Sequence, residues 1–221
     1  MPFQEPQRIL IVDDHPIMRK GVALIIAQES DLEVCGEAET AAEALSAIEA
    51  LEPQLVIVDI SLQRSNGIDL IKDIRSRQRN LAVLAFSMHD ESFYAERALR
   101  AGACGYVMKK EPAHTVIEAI RKALQGKIHV SSHIAERILH SLPGAPSKEA
   151  IASVDLLSDR ELEVFSLIGQ GRKPRQIAEE MHLSVKTVET YLSRIKEKLK
   201  LEKANDVLQH AIRWIQAQNL V

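Results

Sequence analysis

The 221-residue sequence has little of what secreted and membrane proteins depend on. It has two cysteines, Cys35 and Cys104, which are too few for a disulfide framework and suit a reducing compartment. No stretch approaches the roughly 18–20 uninterrupted apolar residues of a membrane span. The segment Met1–Arg8 has Pro, Gln and Glu where a secretory peptide has a basic stretch and then an apolar run. We therefore expect a cytoplasmic protein that does not engage a membrane.

The sequence also lacks the motifs of several enzyme classes. A dinucleotide-binding oxidoreductase needs a glycine-rich turn after its first strand, but the turn here is Asp14-His15-Pro16. A hydrolase that forms an aspartyl phosphate at Asp59 would have a second Asp at position 61, where this chain has Ser61. No histidine pairs with a cysteine at metal-ligand spacing, so a zinc site has no support. These absences argue against an enzyme.

A strong surplus of either charge is missing as well. The chain has 28 basic and 31 acidic residues, a net charge of −3 that by itself gives no reason to bind nucleic acid. The distribution is uneven, however. Residues 1–127 carry 15 basic and 19 acidic side chains, whereas residues 172–200 carry eight basic and four acidic ones. The second segment is a modest basic patch, and on charge alone a solvated helix face explains it equally well.

The first half of the chain alternates short apolar runs with segments of helical period. The overall composition, 46% hydrophobic and 27% charged, is that of a soluble globular protein. The apolar runs lie at 8–13, 32–36, 55–59, 81–87 and 104–109. Their length and the intervening helices predict a five-stranded parallel sheet with helices on both faces. The short, polar second run indicates an edge strand.

The pattern changes after residue 126. Residues 126–157 are rich in Gly, Ser and Pro, with a short helix predicted at 133–141 and a flexible tether at 142–154. Beyond Leu157 only helical period remains. Ser158 and Glu161 form a capping box, Pro174 suits a first helical position, and Ser184 caps a third helix at 185–199, followed by a fourth at 204–217. We predict an α/β domain at 1–127, a linker at 128–154 and an all-α four-helix domain at 155–221.

Polar residues follow four of the predicted strands. Such strand ends meet at one edge of a parallel sheet, where ligands bind. Several carboxylates gathered there repel one another, and a hard divalent cation such as Mg²⁺ with oxygen ligands would relieve that repulsion. Together with a lysine and a serine hydroxyl, they suit acceptance of a phosphoryl group by one carboxylate. Asp14 alone is equally explained as a helix N-cap. The residues concerned are Asp13, Asp14, Asp59, Ser87 and Lys109.

The segments VDDHPIMRKGV, VDISLQRSNGIDLIKDIR, LAFSMHDE and GACGYVMKK resemble the receiver domain of two-component response regulators, over about residues 7–125. The resemblance implies a flavodoxin-like, doubly wound sheet with Asp59 as phospho-acceptor. It implies that Mg²⁺ is held by Asp13, Asp14, Asp59 and the backbone carbonyl of Ser61. It further implies phosphoryl contacts from Ser87 and Lys109 and an aromatic switch at Tyr106, although Tyr106 and Phe86 alone fit plain core aromatics equally well. Gln63 departs from the family, which usually has Pro there, and this puts the rigidity of loop 60–66 in question.

The third helix of the second domain has two distinct faces. At about 100° per residue, Val188, Leu192, Ile195 and Leu199 form an apolar face, while polar and cationic residues lie opposite. With the preceding helix, this arrangement suits a helix-turn-helix whose third helix enters the major groove, although a small bundle with solvated faces remains an alternative.

The segment from 155 to about 217 resembles the four-helix DNA-binding domain of the LuxR type, which places the chain in the NarL/FixJ class of response regulators. The resemblance implies that Glu189, Thr190 and Ser193 face bases, and that Lys186, Thr187, Arg194 and Lys198 face phosphates. Lys200 stands where the family usually has a glycine with positive φ, so we expect some strain at that helix end.

These observations lead to the hypothesis of a phosphorylation-switched transcriptional regulator. A sensor histidine kinase would donate the phosphoryl group to Asp59, and the third helix would bind double-stranded DNA. The last helix has an apolar stripe that suits either internal packing or a homodimer formed on phosphorylation or DNA binding. We expect no enzyme activity beyond self-phosphorylation and hydrolysis of the acyl phosphate. The alternative is a phosphorylation-independent DNA-binding protein whose first domain serves only for oligomerisation.

Overall fold

The computed structural model describes residues 5–62, 65–140 and 154–218. The chain forms two compact units, the first extending to Leu142 and the second beginning at Pro143. Gln63 and most of the predicted tether at 142–154 lie outside the described residues. Within the described residues, no helix has both the length and the apolar character needed to cross a membrane.

The first unit contains a five-stranded, fully parallel sheet with the order β2-β1-β3-β4-β5. This confirms the predicted sheet, with β2 at one edge. The central strands at 55–59 and 82–87 are buried along their whole length, which explains their continuous apolar sequence. The strands are β1 Gln7–Val12, β2 Leu32–Ala38, β3 Leu55–Asp59, β4 Ala82–Ser87 and β5 Gly105–Met108.

Helices cover both faces of the sheet. Alternate strand residues such as Ile9, Ile57 and Leu84 pack against the first and fifth helices in one core. The second, third and fourth helices pack on β1, β3 and β5, respectively. This is the doubly wound arrangement predicted for the first domain. The helices are α1 Pro16–Ile26, α2 Ala41–Leu51, α3 Gly67–Arg77, α4 Glu91–Ala101 and α5 Ala113–Leu124.

A sixth helix, α6 Ser132–His140, belongs to the first unit. The preceding backbone lies along β5, since Tyr106 N donates to the His129 carbonyl at 2.9 Å. Two side chains then tie the segment to α4: Ser131 Oγ donates to Glu91 at 2.5 Å, and Arg137 donates to the Ser92 carbonyl at 2.9 Å. Residues 128–140, which the sequence analysis assigns to the linker, therefore pack against the receiver-like unit.

The second unit is wholly helical in its described part, which confirms the predicted all-α domain. Its first helix begins with the predicted capping box: Ser158 Oγ accepts from Glu161 N, and Glu161 Oε2 accepts from Ser158 N. Pro174 occupies the first turn of the second helix, and Ser184 Oγ accepts from Thr187 N at 3.0 Å to cap the third. The helices are α7 Asp159–Gly169, α8 Pro174–Glu180, α9 Val185–Lys198 and α10 Ala204–Gln218.

The end of α9 is followed by a residue in the left-handed region. Lys200 has φ = 54°, as expected for a position where glycine is usual. A side chain at such a φ is strained, because its Cβ crowds the following carbonyl oxygen. Lys200 N nevertheless donates to the Glu197 carbonyl at 3.1 Å, so the turn is closed despite the strain.

We predict that Lys200→Gly raises the free energy of unfolding of the second unit by up to about 1 kcal/mol, because glycine adopts positive φ without strain. The control is Lys196→Gly inside α9, which should lower the same free energy by about 1 kcal/mol. Chemical denaturation followed by circular dichroism measures both changes. A destabilising Lys200→Gly would show that the lysine side chain outweighs the backbone strain.

Candidate acidic pocket and candidate nucleic-acid interface

The polar side chains at the strand ends converge on one buried lysine. Lys109 Nζ lies 2.6 Å from Asp13 Oδ2 and 2.8 Å from Asp59 Oδ2. Asp13 follows β1, Asp59 ends β3, and Lys109 follows β5, so three strands deliver one side chain each. The side chains of all three are at most 3% exposed. Asp13, Asp59 and Lys109 of the predicted set therefore meet at the carboxyl edge of the sheet, at the site that we call the acidic pocket.

The pocket offers oxygen ligands suited to a hard cation. Ligand atoms of Asp13, Asp14, His15 and Asp59 all lie within 4.8 Å of one another. His15 Nδ1 is 2.8 Å from Asp14 Oδ1, although the imidazole is itself 60% exposed. Lys109 pairs with Asp13 and Asp59, and Asp14 adds a third carboxylate to the cluster, so the acidic groups outnumber the lysine. A divalent cation with carboxylate and water ligands would balance that excess, so the residues present fit Mg²⁺.

In the Lys109–Asp59 ion pair, burial shifts the pKa of each group toward its neutral form, and the charge of the partner opposes that shift. Burial raises the pKa of the Asp59 carboxyl, and Asp13 adds to this rise while Lys109 opposes it. Burial alone would lower the pKa of Lys109, but the neighbouring Asp59 and Asp13 outweigh it, and the net shift is upward. Lys109 therefore stays cationic, and its charge stabilises the ionised form of Asp59.

The loop after β3 is held close to Asp59 by a glycine. Ser61 N donates to Asp59 Oδ1 at 3.1 Å, and Gly67 N donates to the Ile60 carbonyl at 2.9 Å. A Cβ on Gly67 would lie 2.7 Å from Ile60 Cα and 2.8 Å from the Asp59 carbonyl carbon. Only glycine allows the start of α3 to approach the end of β3 this closely. The metal-binding role of the Ser61 carbonyl stays a prediction.

His89 connects the pocket to Tyr106. Its backbone N donates to Ser87 Oγ at 3.1 Å, and its carbonyl accepts from Tyr106 Oη at 2.9 Å. Its ring nitrogen Nε2 lies 2.8 Å from Ser61 Oγ, and the ring stacks on Tyr94 with centroids 4.8 Å apart. Tyr106 is thus turned inward, 2% exposed, and burial raises the pKa of its hydroxyl. Sequence reasoning missed His89, because a single loop histidine carries no pattern.

The aromatic Phe86 is a core residue that also borders the pocket. It is 4% exposed and packs in the core between the sheet and helices α1 and α5. Lys109 Nζ lies 5.9 Å from the centroid of its ring. Phe86 therefore forms part of the apolar wall beside the buried ammonium.

The α9 helix presents the predicted polar face to solvent. Val188, Ile195 and Leu199 are buried and Leu192 is half-buried, as the helical period indicates. Thr187 is half-buried, with its Oγ1 2.8 Å from the Ser184 hydroxyl that caps the helix. The remaining predicted contact residues in the first three turns are exposed, namely Lys186, Glu189, Thr190, Ser193 and Arg194.

Lys198, another predicted phosphate contact, has an ion-pair partner within the domain. Its Nζ lies 2.6 Å from Oε2 of Glu161, a carboxylate whose side chain is 3% exposed. Burial alone would raise the pKa of Glu161, but Lys198 and the Ser158 cap outweigh it, and the net shift is downward. The pair joins the end of α9 to the start of α7. Its role in contacting DNA phosphates stays a prediction.

Comparisons with known proteins match both units. The family described as response regulator receiver domain matches residues 9–121, and the family described as bacterial regulatory proteins, luxR family, matches residues 155–211. Among curated relatives, the transcriptional activator protein ExaE of Pseudomonas putida is 34% identical, with 92% of this chain and 95% of that protein covered. The DNA-binding transcriptional activator DevR/DosR of Mycobacterium tuberculosis is 32% identical, with 89% of each covered.

Solved structures show the same fold. A two-component response regulator of the LuxR family from Aurantimonas sp. SI85-9A1 is 35% identical, with a TM-score of 0.57 over 61% of this chain and 96% of that one. The RcsB protein of Salmonella enterica serovar Typhimurium, bound to promoter P1flhDC in the presence of BeF₃⁻, has a TM-score of 0.61 at 24% identity. That likeness covers 94% of this chain and 98% of RcsB.

We predict that Gly67→Ala destabilises the first unit by about 1–3 kcal/mol, because the new methyl group must displace the Asp59 backbone. The same displacement should slow modification of Asp59 by small phosphodonors. Thermal unfolding and intact-protein mass spectrometry measure the two effects.

The matched control is Gly21→Ala in α1, where an added Cβ meets nothing within 4 Å. It should stabilise the protein by roughly 0.5–1 kcal/mol, because alanine favours a helix interior. Equal behaviour of the two variants would contradict the close approach at Gly67.

Proposed function

The chain belongs to the response regulators that join a receiver domain to a LuxR-type DNA-binding domain, and we propose that phosphorylation of Asp59 controls its binding to DNA. The observation that carries this proposal is the position of Lys109 between Asp13 and Asp59, within hydrogen-bond distance of both. A phosphoryl acceptor needs a carboxylate oxygen, a cation beside it and a second acidic group for a metal. The pocket brings these three together.

The phosphoryl group would come from a phosphohistidine of a sensor histidine kinase. A carboxylate oxygen of Asp59 attacks phosphorus, the P–N bond of the donor breaks, and an acyl phosphate forms while the donor imidazole leaves. Asp13, Asp14, Asp59 and the Ser61 carbonyl would hold Mg²⁺, which neutralises charge on the phosphoryl oxygens. Lys109 would shift from its pairing with Asp59 toward the phosphoryl group.

The signal would leave the pocket through Ser87 and Tyr106. A phosphoryl group on Asp59 offers a strong acceptor for the Ser87 hydroxyl, which in the structure accepts from His89 N. Movement of Ser87 therefore shifts His89, whose carbonyl holds Tyr106 Oη. Residues 128–140 contact β5 and α4 through His129 and Arg137. The change would therefore reach this segment, which precedes the DNA-binding domain in the chain.

The DNA-binding domain would read a site through α9. Glu189, Thr190 and Ser193 would face base edges, and Lys186, Thr187, Arg194 and Lys198 would face phosphates. Glu189 would accept from a cytosine amino group and repel phosphate. A homodimer would place two such helices on paired half-sites. In α10, Val207 and Ala211 are buried while Leu208, Ile212 and Ile215 are half-buried, which leaves apolar surface for a two-fold partner.

The protein would act in the cytoplasm, and we propose no turnover beyond self-phosphorylation and hydrolysis of its own acyl phosphate. The alternative function is DNA binding that does not depend on phosphorylation, with a receiver that serves only for oligomerisation. Such a receiver has no need of a lysine buried between two carboxylates. Mg²⁺-dependent binding of beryllofluoride, a phosphoryl analogue, distinguishes the two functions.

We expect incubation with acetyl phosphate and Mg²⁺ to add one phosphoryl mass, because the pocket needs a divalent cation and an ionised Asp59. Intact-protein mass spectrometry measures the addition. EDTA and the Asp59→Asn substitution should each abolish it. The control is Asp69→Asn on α3, whose carboxylate is 66% exposed and pairs with Lys72, and this variant should be modified normally. Modification of Asp59→Asn would refute the assignment of the acceptor.

We expect Lys186→Met to weaken binding to all DNA sequences alike, because the exposed Lys186 is proposed to contact phosphate, and a phosphate contact carries no sequence information. The slope of log affinity against log salt should fall by about one for each protomer bound. Sites are first obtained by selection from random oligonucleotides with the phosphorylated protein, and affinities are then measured by fluorescence anisotropy. A changed sequence preference would contradict the phosphate role of Lys186.

The comparison variant is Lys198→Met. It leaves the buried Glu161 without its cation, so we expect a loss of about 1–2 kcal/mol in the stability of the second unit. Lys186→Met should leave that stability unchanged. A fully stable Lys198→Met protein with a reduced salt slope would instead make Lys198 a direct phosphate contact.

A further inference from the structure

A buried arginine, Arg19, contacts the backbone of the acidic pocket. It is not one of the residues proposed to hold the metal or the phosphoryl group. We infer that Arg19 of α1 is a positioning residue that fixes the metal-binding carboxylates Asp13 and Asp14, and that Glu37 and Glu39 neutralise its charge. The inference rests on the proposed Mg²⁺ pocket and concerns how the chain builds it. Sequence reasoning assigned no role to these three residues.

The contact to the pocket is made through the backbone. Arg19 Nη1 donates to the Asp13 carbonyl at 2.5 Å, while Asp13 N donates to the Ala38 carbonyl at 3.1 Å. Both backbone polar groups of Asp13 are thus held, one by α1 and one by the end of β2. The Asp13 side chain is oriented in turn, since its Oδ1 accepts from His15 N at 2.8 Å. The Asp13 carbonyl belongs to the peptide bond with Asp14. Holding this peptide therefore also fixes the position of the Asp14 Cα, from which its carboxylate side chain extends.

The guanidinium donates to three acceptors from two segments, the ends of β1 and β2. Besides the Asp13 carbonyl, Arg19 Nε donates to Glu37 Oε2 at 3.1 Å on β2, and Nη2 donates to the Glu39 carboxylate just beyond it. A planar fork with several donors can hold such a set, whereas the ammonium of a lysine is a single point. Arg19 is 8% exposed, so its guanidinium is largely shielded from water, whereas the carboxylates of Glu37 and Glu39 are half-exposed. The ends of β1 and β2 are thereby locked to α1.

The two glutamates resolve an electrostatic conflict. A buried guanidinium next to Asp13 would repel a divalent cation held by the same residue. Glu37 and Glu39 pair with this guanidinium, so the group brings no net positive charge to the pocket. Burial alone would lower the pKa of Arg19, but these carboxylates outweigh it, and the net shift is upward. The arginine can therefore hold the backbone without opposing the metal.

The test measures Mg²⁺ affinity of the full chain by isothermal titration calorimetry, with thermal unfolding measured in parallel. Arg19→Met should weaken Mg²⁺ binding at least about tenfold, the usual effect of removing a residue that orients metal ligands. Arg19→Lys should restore only part of the affinity, because it cannot serve all three acceptors. Mn²⁺ binding followed by electron paramagnetic resonance should give the same order of variants.

The matched control is Arg75→Met. Arg75 also donates to backbone carbonyls, those of Arg79 and Leu81, but these lie before β4, at the opposite edge of the sheet. This variant should lose thermal stability and keep the Mg²⁺ affinity of the unmodified protein. An Arg19→Met protein that binds Mg²⁺ as well as Arg75→Met does would overturn the inference.

A second variant tests the charge argument without removing a buried side chain. Glu37→Gln with Glu39→Gln changes two half-exposed residues and leaves hydrogen-bond acceptors in place. We expect severalfold weaker Mg²⁺ binding at low salt, with the difference shrinking at high salt as screening increases. Unchanged affinity at low salt would refute the neutralising role.

If the proposed Mg²⁺ pocket is itself wrong, the Mg²⁺ titrations give a different result from the one that refutes the role of Arg19. In that case the unmodified protein would show no Mg²⁺ binding that Asp13→Asn removes, and the inference would fall with it. If the unmodified protein binds Mg²⁺ through Asp13 while Arg19→Met binds equally well, only the role of Arg19 is wrong.

Discussion

The receiver unit depends on one buried ammonium group. Lys109 sits between Asp13 and Asp59 with almost no access to water, so the two carboxylates lie close together only because this cation is between them. Each of the three residues comes from the end of a different strand, and β3 lies between the other two in the sheet. The arrangement therefore requires β1, β3 and β5 to end at the same edge of the sheet, and a change in the register of any of them would separate the charges.

Much of this fold follows from chemistry that is local in sequence. Continuous apolar runs of five to seven residues are the pattern of doubly covered parallel strands, and the polar strand at 32–38 reads as an edge for the same reason. The capping box at Ser158 and the proline at 174 mark helix starts through bonds made within a few residues. The residues of the acidic pocket were found because parallel strands end at one edge, which is a topological rule and needs no side-chain geometry.

What the sequence does not reveal are partners that lie far apart in the chain and have no periodic pattern. Arg19 reaches Glu37 and Glu39, Lys198 reaches Glu161, and His89 reaches Ser61; each pair is set by how elements dock. The same limit explains the boundary of the first unit. Residues 128–140 fall in a stretch rich in Gly, Ser and Pro, which predicts a linker with a short helix, but their backbone pairs with β5 and their side chains bind α4.

The carboxylate of Glu161 serves two helices at once. It closes the capping box of α7 and pairs with Lys198 at the end of α9, so one acidic group stabilises both the start of α7 and the far end of α9. Over evolutionary time this divides the helix into two zones. Under the proposed DNA contacts, positions 189, 190 and 193 would change with the promoter, whereas position 198 would keep a cation to pair with Glu161. Relatives with new DNA targets should therefore vary in the first turns of this helix and stay constant at its end.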